Sequence, residues 1–161
     1  MSRQWVSRRF EVLLPLAMRW ARRQERRITK DGVALTLEET NSARAVGVMQ
    51  PQCVRLLCVK RVPWPGASVL RAASETLGFQ IGATCGLTLG YGIYIREDCW
   101  RQSRLIAHEL VHVAQYERLG GIEPFLRQYL GECLTVGYDE SALENEARAI
   151  VSQIFSDELA G

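Results

Sequence analysis

Gly86-Leu87-Thr88-Leu89-Gly90-Tyr91-Gly92-Ile93-Tyr94-Ile95 alternates apolar residues with glycine, and from Arg101 to Leu119 the apolar residues recur at helical spacing up to Gly120-Gly121. The first stretch predicts one or two short strands with a bulge or a close backbone approach, because glycine inside a strand marks such places. The second predicts a helix with a glycine stop. Working outward, Cys53 to Val62 is apolar and β-branched and ends at Pro63-Trp64-Pro65-Gly66, so it reads as a strand and turn. Helices are expected at residues 37–46, 68–77, 123–133 and 141–159, and at 16–30 with Pro15 as first helical residue. Strands interspersed with helices in one chain of 161 residues imply a single compact α+β domain with a small sheet drawn from 53–62 and 86–95.

Composition narrows the class. An apolar fraction of 47% with 24% charged residues excludes a disordered or low-complexity chain. The net charge of +2 conceals an asymmetry: residues 1–30 carry nine Lys/Arg against Glu11 and Glu25, a balance of +7, which leaves the remainder at −5. A basic helical arm over residues 1–32 and a body over 33–161 are expected, and the mildly acidic body argues against a specific nucleic-acid-binding domain. A solvated helix face or contact with an anionic membrane surface through residues 1–30 fits the arm. The apolar run from Val12 to Met18 contains Pro15 and is too short to span a bilayer. Five cysteines without a Cys-x-x-Cys pair point to reduced, mostly buried thiols and a cytoplasmic setting.

His108-Glu109-Leu110-Val111-His112, inside the helix expected at 101–119, carries the chemistry. Four residues advance a helix by about one turn, so both imidazoles leave one face and can bind one ion. These are the only two histidines in the chain; chance places two histidines four apart about one time in eighty, before the intervening glutamate is considered. Glu109 is near enough to hold a reacting water without being a ligand. Gln115 and Tyr116 share this side of the helix. With no third histidine, the remaining ligand must be a carboxylate or a cysteine. On the C-terminal helix Glu140, Glu144 and Arg148 share one face while Glu146 points roughly opposite Glu144, which makes Glu144 the expected ligand and Glu140 the reserve.

With these residues the chain resembles the gluzincin zinc metallopeptidases, which carry H-E-x-x-H on one helix and E-x-x-A-D on a later one. More closely, His108 to Gln115 and the downstream Glu144-Asn145-Glu146-Ala147 look like the compact minigluzincins and the small bacterial domains named after the extracellular contractile injection system core. The resemblance covers about residues 65 to 155 and implies a zincin-like domain in which His108, His112 and Glu144 hold Zn2+ and Glu109 is the general base. Arg148 departs from the pattern: it stands where the family has an aspartate that hydrogen-bonds a ligand histidine. Glu140 or Asp139 is expected to supply that bond instead.

A zinc-dependent peptidase acting on a peptide or protein substrate is therefore expected. Tyr138 is the chosen donor to the developing oxyanion, with Tyr129, Tyr116 and Arg148 as alternatives. The strand near 87–95 offers an edge to an extended substrate. The competing expectation, motivated by Arg148, is a zinc-binding but catalytically quiet interaction domain, peripheral to a membrane through its basic arm.

Overall fold

Ile93, Tyr94 and Ile95 are all completely buried, so their strand must be covered on both faces. The computed structural model describes residues 3–65, 83–137 and 140–160, and among them it shows an α+β fold of five α-helices and a four-stranded mixed sheet. The order is α1 (Arg3–Asp31), β1 (Val33–Ala34), α2 (Leu37–Ala45), β2 (Arg55–Val59), β3 (Gly86–Leu89), β4 (Gly92–Arg96), α3 (Ser103–Leu119), α4 (Ile122–Val136) and α5 (Ala142–Ala160). The helix expected at 68–77 lies outside the described residues.

Strand order is β1-β2-β4-β3. β2 and β4 pair in parallel, with Leu56 opposite Ile93, while β1 joins β2 and β3 joins β4 antiparallel. The glycine-rich segment thus resolves into a hairpin with Thr88 opposite Ile93. Its turn needs Gly90, which has φ +63°, and a Cβ there would run into the Glu25 carboxylate. That carboxylate accepts the Tyr91 backbone N–H at 3.0 Å, so α1 holds the hairpin turn.

Two buried clusters sandwich the sheet. On one side Leu56, Ile93 and Ile95 pack with Ile106, Leu110 and Val113 of α3 and with Ala147 and Val151 of α5. On the other, Tyr94 and Leu89 meet Leu14, Ala21 and Ile28 of α1 together with Phe125 and Leu126 of α4. Leu14, Ala21 and Ile28 recur every seven residues, two helical turns, and so form one stripe.

α1 begins well before Pro15, not at it as expected. Proline inside a helix costs about 3 kcal/mol, but burial of Leu13 and Leu14, the two residues directly ahead of Pro15, contributes roughly 1.5–3 kcal/mol each, so packing outweighs the local preference. The cysteines also differ from expectation. Cys85, directly ahead of β3, and Cys99, in the short turn after β4, form a disulfide, and Cys53, Cys58 and Cys133 are free. Pairing of Gly86 with Ile95 brings the two segments together, an adjacency that cysteine spacing does not reveal.

Candidate metal centre

α3 buries most of its length, and His108, Glu109, His112 and Gln115 are presented from it toward β3 and α5. His108 Nε2 and His112 Nε2 are 3.1 Å apart. Glu144 reaches both, with Oε2 at 3.3 Å from His108 Nε2 and Oε1 at 3.5 Å from His112 Nε2. A tetrahedral ion with bonds of about 2.0–2.1 Å separates its ligand atoms by roughly 3.3–3.4 Å, and the two nitrogens, and each nitrogen with the Glu144 oxygen facing it, stand near that spacing. His108, His112 and Glu144 therefore form a group with the geometry to hold a metal ion. Two imidazoles and a carboxylate suit zinc and other first-row divalent ions alike.

The position of Glu144 comes from the start of α5. Glu132 of α4 accepts the Ser141 hydroxyl at 2.7 Å and the Leu143 N–H at 3.3 Å, tying α4 to the beginning of that helix. Partial burial pushes the Glu132 carboxyl up, but hydrogen bonds from Gln128, Ser141 and the backbone outweigh this and hold it below its usual range. Glu144 then falls in the first turn, where a carboxylate is favoured by the helix N-terminus. Glu140 is exposed and stands apart from the two histidines, so the reserve ligand is not used.

Electrostatics match a cation-seeking site. Burial opposes charge on Glu144, yet His108, His112 and the Tyr129 hydroxyl at 2.9 Å keep its carboxyl below the ordinary range. Burial likewise pushes His108 down, but Glu144 and Glu109 carry it above its ordinary value.

Orientation of His112 rests on a residue whose role was not read from sequence. Gln115 is fully buried, and its amide donates to Leu143 O at 2.9 Å and to Glu146 Oε2 at 2.8 Å. Its carbonyl oxygen must then face His112 Nδ1, 2.8 Å away, which fixes the proton on Nδ1 and turns the Nε2 lone pair toward Glu144 and His108. Glu146, projecting away from Glu144 as helical phase requires, is gripped by Arg118 through two bonds of 2.7 Å. This support was expected from Glu140 or Asp139. Asp139 lies outside the described residues, and Glu140 is exposed. The available signal was that Gln115 follows His112 by three residues on the same helical face.

Glu109 is buried beside the cluster, and its Oε2 accepts the Thr88 hydroxyl at 2.6 Å. β3 comes close enough that a Cβ on Gly86 would lie 2.5 Å from Glu109 Oε1, so only glycine leaves that oxygen room. Phe125 stacks between Tyr116 and Tyr129 and meets His112 edge-on, closing the floor with aromatic surface. Tyr116 donates to Thr88 O at 3.3 Å and Tyr129 donates to Glu144. These two of the three hydroxyls considered as oxyanion donors are thus engaged in holding the site. Tyr138 lies outside the described residues. Arg148 donates from Nε to Glu144 O at 3.3 Å, one turn back along α5.

No protein-family model matches this chain, nor does any curated protein or solved structure. Among the described residues no helix is long and apolar enough to cross a membrane.

Proposed function

We propose that the protein is a zinc-dependent metallopeptidase in which His108, His112 and Glu144 hold the ion and Glu109 is the general base. The observation that carries this reading is the convergence of the two imidazole nitrogens, 3.1 Å apart, with the two Glu144 oxygens, one 3.3 Å from His108 and the other 3.5 Å from His112, and a separate buried carboxylate beside them. A zinc ion with three protein ligands supplies a Lewis acid that polarises a carbonyl and acidifies water. Glu109 is not a member of the ligand cluster, so its carboxylate is available to accept a proton from the attacking water and pass it to the departing amine. Thr88 occupies Oε2 and thereby leaves Oε1 as the proton-accepting atom. β3 lies at the edge of the sheet, where an extended peptide can add as a further strand past Gly86. With Tyr116 and Tyr129 engaged elsewhere, Tyr138 and Arg148 are the proposed donors to the oxyanion.

The test compares wild type with Glu109→Gln on a mixed peptide library while metal content is measured. Wild type should bind one zinc ion per chain, and the substitution should keep the zinc while lowering turnover about 10²–10⁴-fold. Turnover unchanged by the substitution would remove Glu109 as base. A second reading, a zinc-binding domain without turnover, is favoured by Arg148, a cation close to the cluster where the gluzincin pattern has an aspartate. One bound zinc with no cleavage of any library peptide by wild type would select it.

A further inference from the structure

The basic N-terminal segment plays no part in the metal centre, yet its charge is organised. Arg19, Arg22 and Arg26 follow one another at three- and four-residue intervals along α1, so they stand in one row about 10 Å long. None has a carboxylate partner among the described residues. The row borders a groove of about 540 Å³ between α1 and α4, floored by Leu14, Pro15 and Met18. From the α4 side come Arg127 and Glu123, themselves 3.6 Å apart, so four arginines face a single carboxylate. Leu16 lies one turn before Arg19 and is 40% exposed, adding an apolar residue to the cationic row.

We propose that this face of α1 docks on an anionic phospholipid surface. Phosphate groups match the unpartnered guanidinium row, and the exposed Leu16 beside it matches the acyl boundary just beneath a headgroup layer. An extended polyanion such as a nucleic acid fits less well. It has no use for an exposed leucine, and beyond α1 it meets a body with a net charge of −4. A planar membrane needs to touch only the α1 face.

Deleting the segment is not a fair test, because Leu14, Ala21 and Ile28 belong to the core. The full chain is instead sedimented with vesicles of phosphatidylcholine alone and of phosphatidylcholine mixed equally with phosphatidylglycerol. Wild type should bind only the mixed vesicles and be released as salt is raised. The triple substitution Arg19→Gln, Arg22→Gln and Arg26→Gln should weaken partitioning roughly a hundredfold, since each basic residue near such a surface contributes about fivefold. Far-UV circular dichroism of the variant should match wild type. Equal binding by wild type and variant overturns the proposal, as does equal binding to both vesicle types. Failure of wild type to bind vesicles, with retention of a duplex DNA or a polyglutamate probe, also overturns it and assigns the face to another polyanion. If the variant misfolds, the salt dependence of wild type on the two vesicle types decides the matter.

Discussion

The seam between α3 and α5 and the outer face of α1 are both rich in charge, but they treat it in opposite ways. In the seam Glu109, Gln115 and Glu144 are buried, and each has a partner at hydrogen-bond distance. On α1 the arginines at 19, 22 and 26 are exposed and stand without carboxylates among the described residues. An unsatisfied buried polar group costs about 1–3 kcal/mol, so the seam must be internally complete. A guanidinium in water has no such requirement. The difference separates charge that builds a site from charge that awaits a surface.

Substitution at Gln115 should give the largest difference between the two regions. Gln115→Leu removes the acceptor facing His112 Nδ1 and takes one donor each from Glu146, which keeps Arg118, and from the Leu143 carbonyl. Zinc affinity, read by competition with a chromophoric chelator, should fall about 10–100-fold. Unchanged affinity would show that the ring is held by other contacts.

A smaller effect is expected at Glu132, which caps the start of α5. Its carboxyl lies below its unfolded value of 4.5, so its contribution is complete above that value and disappears as pH falls through the lower folded one. Glu132→Gln should lose about 1 kcal/mol in urea unfolding at neutral pH, the usual worth of a helix cap. As pH falls through that lower folded-state value, the difference from wild type should shrink toward zero. A difference that persists in acid would mean that the carboxylate's charge is not what holds the helix start.

The smallest effect belongs to α1. The triple substitution of Arg19, Arg22 and Arg26, the row proposed to meet the vesicle, should move the unfolding free energy by no more than about 0.5 kcal/mol. A larger loss would place those arginines in the fold rather than on a docking face.

Much of the site was legible because helical phase is local. His108 and His112 share a face by arithmetic alone, and the same arithmetic puts Glu144 and Glu146 on different sides of α5. Each then meets the partner its direction allows, Glu144 the histidines and Glu146 the pair Gln115 and Arg118. The choice between Glu144 and Glu140 was less accessible. It depends on where α5 begins, which Glu132 sets from another helix. Pro15 misled for a related reason, since its local preference for a helix start is smaller than the burial available to Leu13 and Leu14.

Residue order alone determined the periodicities, and with them most of the described helices, the short strands of the glycine-rich segment and the placing of two imidazoles on one face, because these follow from bonds and contacts within a few residues. Tertiary structure decided what sequence-distant segments do to one another: the parallel pairing of β2 with β4, the Cys85–Cys99 disulfide, and the seating of Gln115 between His112 and Glu146. Those outcomes depend on which buried polar and apolar groups are brought within reach when the layers close, and no local pattern encodes that distance.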